Sequence, residues 1–249
     1  VAKITCNGKI FHRIQSIVFD KDGTLANSEV FLWKLGQQRS HLLNIQIPGI
    51  QSPLLRSFGL TEDGINPAGM MAVGARRDNA IAAATYVAET GRDWVEALDI
   101  VQTAFQQADQ LMQPKARYTP LFEGGRSLLQ QLHAAGVKLG VLSSDVTENV
   151  VDFIQTYQLE EYVQVGLGVN GKPPKPDPTL LYEICHGLGV TPSETLVIGD
   201  ATSDFRMAYL GGAAGSIGVT WGWRRKPMLA EAEAIAHRWD EIQIEPDVW

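Results

Sequence analysis

The chain has 249 residues, of which 45% are hydrophobic and 20% charged, and a formal net charge of −7. This is the composition of an ordinary globular protein with a sizeable core, and its acidic balance gives no electrostatic footing for a nucleic-acid partner; the run Arg224-Arg225-Lys226 is too short to supply one. Cys6 and Cys185 are too few for a disulfide framework or a zinc site, and no signal peptide or bilayer-length apolar run is visible, so a reducing cytoplasm and no membrane partner are expected.

Ile4-Thr5-Cys6 and Lys9-Ile10-Phe11 flank Asn7-Gly8, which predicts a hairpin added as an edge or cover to the core. Next, Ser16-Ile17-Val18-Phe19 is an apolar run that closes on Asp20-Lys21-Asp22-Gly23-Thr24-Leu25. It reads as a buried strand that delivers two carboxylates to the tip of a sheet, where the Gly23 turn lets Asp20 and Asp22 converge. Two like charges so close need a cation or a shared proton. An Asp cap followed by an ordinary Asp-Gly bend is the bland alternative.

From Asp20 to the next apolar strand at Val137 the chain is far longer than the dozen or so residues a βαβ crossover needs. The interval reads as an inserted set of helices. One runs from about Glu29 to Leu43, one from Ala80 to Glu89 after an Asp78-Asn79 cap, and one from Arg92 to Met112 behind a Thr90-x-x-Asp93 capping box. In the last, Trp94, Leu98, Val101, Phe105, Ala108 and Met112 paint one apolar stripe, which reads as bundle core. Arg76-Arg77, in a segment that looks flexible after Pro67-Ala68-Gly69, could reach a distal carboxylate or phosphate of a ligand, although solvated arginines at a helix end are commoner.

Val137 to Leu142 predicts a second buried strand ending in Ser143-Ser144-Asp145, where a hydroxyl sits beside the first strand's tip and can hold a phosphate oxygen. Ser144 or Asp145 can also cap the helix that Val150, Ile154 and Tyr157 predict, and Tyr162 to Val165 reads as a short strand after it. Gly171-Lys172-Pro173-Pro174-Lys175-Pro176-Asp177-Pro178 is a loop that proline stiffens, fixing a lysine before a helix from about Thr179. Thr195-Leu196-Val197-Ile198-Gly199-Asp200 is a further strand closing on a carboxylate, with Asp204 four residues on, an acidic pair suited to a hard divalent cation. Beyond it, Trp221, Trp223 and Trp239 read as packing.

Taken together, Asp20-Lys21-Asp22-Gly23-Thr24-Leu25, Ser143, Lys175 and Gly199-Asp200-Ala201-Thr202-Ser203-Asp204 resemble the haloacid dehalogenase-like hydrolase superfamily in its phosphatase branch, and Gly218-Val219-Thr220-Trp221-Gly222 looks like the closing strand of its phosphoglycolate phosphatase relatives. The resemblance implies an α/β fold: a Rossmannoid core with a parallel sheet flanked by helices, formed by residues 1–27 and 116–249, and an inserted α-helical cap domain over 28–115. It implies hydrolysis of a small phosphorylated metabolite such as phosphoglycolate, a sugar phosphate or a nucleotide. Asp20 becomes the aspartyl phosphate and Asp22 the acid and base. Ser143, Ser144, Lys175, Gly23 and Thr24 hold the phosphoryl group, and Mg²⁺ sits among Asp20, Asp22 (through its backbone carbonyl), Asp200 and Asp204. Asp204 orients Lys175 or the metal's surroundings, and Thr24 sets the carboxylate of Asp22. Lys172 competes with Lys175, and Ser144 with Ser143.

Lys21 departs from the aliphatic residue usual between the two aspartates, and its side chain is expected to point away from the site; Asn27 stands where an acidic residue is frequent. A phosphomutase would use the same residues. A phosphate-binding regulatory module would not need a positioned acid such as Asp22, and carbon-halogen displacement would need neither Asp22 nor a metal pair. Oligomeric state has no signal in the sequence.

Overall fold

The computed structural model describes residues 1–246; residues 247–249, the end of the expected catalytic core, lie outside the described residues. At its centre is a six-stranded, all-parallel sheet. Its strand order is Ala234–Ala236, Gly215–Val219, Thr195–Gly199, Ser16–Asp20, Lys138–Leu142 and Val163–Leu167. The Ser16–Asp20 strand is buried throughout. This follows from its position between Lys138–Leu142 and Thr195–Gly199, with helices on both faces, the environment that a continuous apolar run demands.

Alternation along the strands sorts their side chains into two cores. Ile17, Phe19, Leu139, Val141, Leu196 and Ile198 face one, while Val18, Leu142 and Val197 face the other with the helices Thr179–Leu188 and Thr202–Leu210. From the Ser16–Asp20 strand the chain first builds outward through Lys138–Leu142 and Val163–Leu167, then returns to build on the other side through Thr195–Gly199. The order therefore reverses at Ser16–Asp20, and the crevice beyond the carboxyl ends of these strands is where ligands bind in open parallel sheets.

The N-terminal hairpin Ala2–Cys6 and Lys9–Ile14 turns at Asn7 and Gly8, both with positive φ of 46° and 86°. It pairs with Ile242–Pro246 in a separate three-stranded antiparallel sheet. Ile4, Cys6, Phe11 and Ile14 enter the same core as Phe19, so the hairpin covers the parallel sheet rather than extending its edge.

Residues 29 to 111 form helices with a core of their own, built from Phe31, Leu35, Leu43, Leu54, Phe58, Val101 and Phe105 among others. The first helix, Glu29–Gln46, runs three residues beyond Leu43. Another begins at Arg76 rather than Ala80, because Asp78 accepts from the Ala75 amide at 3.0 Å and caps the turn four residues earlier. The long helix Trp94–Leu111 is capped by Asp93, whose carboxylate accepts from Val95 and Glu96, and not by Thr90, which bonds back to the Val87 carbonyl. Its stripe is buried from Ala97 through Val101, Phe105 and Ala108, whereas Trp94 in the first turn is 46% exposed.

The segment around Gly69 is a short helix, Met70–Val73, preceded by Gln51–Ser57 and a two-stranded hairpin, Leu60–Thr61 with Gly64–Ile65. These elements are too short for periodicity to announce them. The strand expected over 162–165 is Val163–Leu167, and the helix Thr147–Thr156 is preceded by Val146 at its N-cap with no side-chain cap from Ser144 or Asp145. No helix among the described residues is long and apolar enough to cross a membrane.

Candidate active site

Asp20, Ser143 and Asp200 stand at the carboxyl ends of three adjacent strands, and Lys175 reaches them from the proline-stiffened loop. Lys175 is 7% exposed, and its Nζ lies 2.5 Å from Asp20 Oδ1 and 2.6 Å from Asp204 Oδ1. Burial alone would lower this ammonium, but the two carboxylates outweigh burial and hold it above its ordinary value. Lys172 instead pairs with Glu183 on the surface. Ser143 is 2% exposed and accepts from the Asp145 amide, and both Ser143 and Ser144 line the cavity that Asp20 faces.

The acidic group consists of Asp20, Asp200 and Asp204, all buried, with carboxylate oxygens within 4.8 Å of one another. Burial, reinforced by Asp204 and Asp22, pushes Asp20 up to about 6 despite Lys175. Asp200 is raised well above the usual carboxylate range by burial and then by Asp20. Oxygen donors crowded this way, with one lysine against three carboxylates, fit a hard divalent cation. Asp204 has both oxygens committed, Oδ1 to Lys175 and Oδ2 to the Ala201 amide at 3.1 Å, so it orients the lysine and caps the helix Thr202–Leu210. Asp200 Oδ1 accepts from Thr24 Oγ1 at 2.9 Å and Oδ2 from Trp223 Nε1 at 2.6 Å. Thr24 therefore serves Asp200 and not Asp22, and Trp223 is more than packing. Gly23, at φ 90°, is required between them: a Cβ there would stand 2.7 Å from Asp200 Oδ2 and 2.8 Å from the Trp223 ring.

The Asp22 carboxylate lies outside the three-carboxylate group. Ser28 Oγ donates to Oδ1 at 2.5 Å, while Lys115 Nζ and Lys21 Nζ both lie 2.8 Å from Oδ2. Lys21 does not point away from the site: it is fully buried, and its Nζ is also 3.6 Å from Asp145. Asp145, rather than capping a helix as a side chain, joins Lys115 at 2.6 Å. The result is a square of two buried ammoniums and two half-buried carboxylates. Burial would raise Asp22, but Lys115 and then Lys21 overcome that and hold it far below the usual carboxylate range. No sequence signal points to Lys115, since it stands 93 residues from Asp22 in a short turn, Lys115–Tyr118.

The cavity that these groups share has a volume of about 80 Å³, and its lining includes Asp20, Asp22, Ser143, Lys175 and, from the helical layer, Arg39 and Arg76. Arg76 begins the helix Arg76–Ala88 and is bound to Asp109; Arg77 is exposed and does not line the cavity.

The family model for haloacid dehalogenase-like hydrolases matches residues 14–212. The chain belongs to that family. It is an enzyme of the phosphatase branch and phosphoglycolate phosphatase-like in sequence. It is 26% identical over 224 residues to a phosphoglycolate phosphatase of Salmonella paratyphi A, covering 88% of this chain and 86% of the relative. To the phosphoglycolate phosphatase of Escherichia coli K12 it is 26% identical over 217 residues, covering 86% and 84%. Among solved structures, a HAD family hydrolase of Deinococcus radiodurans with bound phosphate and sodium superposes with a TM-score of 0.59 at 20% identity, covering 92% of this chain and 93% of that one. A HAD-superfamily hydrolase of Geobacter sulfurreducens gives 0.59 at 17% identity, covering 92% and 97%. At these identities the structural likenesses establish the haloacid dehalogenase-like fold.

Proposed function

We propose that this enzyme is a Mg²⁺-dependent phosphatase of a small phosphorylated metabolite, phosphoglycolate-like in size, working through an aspartyl phosphate on Asp20. One observation carries the reading. A buried carboxylate at the tip of the central strand, clamped by Lys175 at 2.5 Å, shares a cavity of about 80 Å³ with the Ser143 hydroxyl and a second carboxylate, Asp22, that is held apart from it. The two free, buried thiols Cys6 and Cys185 suit a reducing cytoplasm.

In the first step Asp20 attacks phosphorus while the bond to the leaving alcohol breaks, and Asp22 gives that oxygen a proton. In the second, water attacks phosphorus and gives a proton to Asp22 while the bond between phosphorus and the Asp20 oxygen breaks, freeing the Asp20 carboxylate and inorganic phosphate. Ser143 and Lys175 bind the transferring oxygens, where charge must be neutralised. Asp20 and Asp200, with the Asp22 backbone carbonyl, are the residues that would hold Mg²⁺, which when bound offsets the repulsion between the anionic nucleophile and the anionic substrate. The residues 28–115 act as a cap, since their side chains close one end of the cavity.

With Lys115 and Lys21 on Asp22, the carboxylate is held ionised, the form that deprotonates water; release from Lys115 is what lets it carry the proton of the first step. Lys115→Met removes one of the two cations at 2.8 Å from Asp22 Oδ2, so the Asp22 pKa rises and the corresponding limb of the pH dependence of kcat/KM moves to higher pH. A limb that stays in place would separate Lys115 from the proton transfer.

The reading as a whole is tested by inorganic phosphate release from a panel of phosphorylated metabolites with Mg²⁺. Release led by two- and three-carbon phosphoesters is expected. Transfer of the phosphoryl group within a sugar phosphate, with no free phosphate, would replace hydrolysis by mutase chemistry.

A further inference from the structure

Gly222, Trp223 and Arg224 are consecutive residues with three different partners. Gly222 packs on the loop after the Ser16–Asp20 strand, so closely that a Cβ there would overlap the Gly23 carbonyl oxygen. Trp223 donates its Nε1–H to Asp200 Oδ2 at 2.6 Å. The Arg224 amide donates to Glu29 Oε2 at 2.9 Å, and Glu29 is the first residue of the helix Glu29–Gln46. One short stretch of backbone thus touches the strand-end loop, a carboxylate of the acidic group and the helical layer.

The Trp223 ring is buried, and among the described residues it is the one buried member of the helical layer's core that comes from beyond residue 111. An indole N–H in such a place needs an acceptor, and a backbone carbonyl serves: Trp33 donates to the Thr61 carbonyl at 2.9 Å and Trp221 to the Thr24 carbonyl at 3.0 Å. Trp223 instead takes one oxygen of a carboxylate in the three-carboxylate group, whose other oxygen is held by Thr24. With one donor on each oxygen the Asp200 carboxylate is fixed in orientation, and each oxygen keeps a lone pair for a cation. Glu29, also buried, is equally committed. Its other oxygen accepts from the Ile65 amide at 3.4 Å, and Gly64, at φ 141°, makes room for it, since a Cβ there would stand 2.5 Å from Glu29 Oε1.

We propose that Trp223 is a positioning residue for the divalent cation, and that through it and the Arg224–Glu29 contact, cation binding and the seating of the helical layer are one linked equilibrium. This rests on the reading of Asp20 and Asp200 as residues that would hold the cation. Displacing the helical layer strips the Trp223 ring of its packing and withdraws its N–H from Asp200, so that carboxylate is oriented for a cation only when the layer is seated. Linkage makes the effect reciprocal: a cation that prefers the oriented carboxylate holds the layer in place by the same factor. The connection runs through adjacent residues of one backbone pinned on Gly23, which is a physical contact path and more than proximity.

The test reads binding instead of turnover. Mg²⁺ is titrated calorimetrically against the full chain as wild type, Trp223→Phe and Glu29→Gln. Trp223→Phe keeps an aromatic ring in the helical core and deletes the N–H; the Mg²⁺ Kd is expected to rise about 10- to 100-fold, the scale on which partners behind a metal ligand act. Glu29→Gln is nearly isosteric and lies outside the three-carboxylate group, but it turns one acceptor into a donor facing a backbone N–H; Kd is expected to rise about fivefold or more. In wild type, saturating Mg²⁺ slows amide hydrogen exchange at Ile65 and Arg224 by a comparable factor, a measurement that stands where Trp223→Phe does not fold. A Kd within about twofold of wild type in folded Trp223→Phe would leave Trp223 to packing alone and overturn the proposal. Exchange at Ile65 and Arg224 that ignores Mg²⁺, or Glu29→Gln that binds as tightly as wild type, would make the helical layer independent of the cation and overturn the linkage. Wild type that binds no Mg²⁺ would remove the cation reading itself, a result distinct from binding that the variants leave unchanged.

Discussion

Asp20→Asn abolishes phosphate release, with kcat/KM falling by about 10⁴-fold or more, the scale on which removing an enzyme's nucleophile acts. The carboxamide keeps the shape of the side chain and can still accept from Lys175, but it cannot form an acyl phosphate. Thermal stability is expected to hold or rise in this variant. Asp20 is buried beside Asp200 and Asp204, its pKa is raised to about 6, and the substitution takes one charge out of a site with three carboxylates and one lysine. The measurement is phosphate release alongside a thermal melt. Release within about tenfold of wild type, from a folded variant, would move the nucleophile elsewhere.

Chelation of divalent cations removes turnover, and Mg²⁺ restores it. The same electrostatics predict a stability signature that does not depend on activity. Asp20 is raised to about 6 and Asp200 well above the ordinary carboxylate value. Groups raised in this way contribute stability that is complete below the unfolded range near pH 4 and is lost as pH climbs through the folded values. Metal-free protein should therefore become less stable as pH rises from about 4 past 6, as far as these two groups govern it.

A cation bound only by the native state reverses that loss. At a concentration of 100 times Kd it adds about 2.7 kcal/mol, which for a chain of this size raises Tm by roughly 5–10 °C. The increment is expected to grow over this pH interval, because protons compete for the same oxygens, and to disappear in Asp200→Asn. A Tm that ignores Mg²⁺ at pH 7.5, with release undiminished by chelator, would exclude a metal from these carboxylates.

Much of the site was legible because strands carry their chemistry at their ends. The runs closing on Asp20, Ser143 and Asp200 are apolar because central parallel strands are buried on both faces, and the polar residues that follow must emerge at one edge of one sheet. Lys175 was legible from its proline-stiffened loop. Helix starts were read less well: Thr90 offered a plausible capping box, but Asp93 is the cap, and Ala75 carries no side-chain oxygen to mark the true start before Arg76. The inward orientation of Lys21 ran against expectation, because a residue between two strand-end aspartates is assigned outward by alternation, and the Gly23 turn ends that alternation at Asp20.

The sequence by itself determined which apolar runs become buried strands and which carboxylates stand at their ends, since each is encoded in a few contiguous residues by burial and turn chemistry, while the family resemblance implied the parallel sheet. Only the tertiary structure decided which donors face the carboxylates of the site and of the helical layer. Lys115 meets Asp22, Arg39 meets Asp109 and Trp223 meets Asp200 across 93, 70 and 23 residues of chain. Lys115 and Arg39 look, in sequence, like any solvated surface charge. Their place beside a half-buried carboxylate is fixed by how the helices of residues 29–111 and the turn at Lys115 pack over the sheet, and no local pattern encodes that packing.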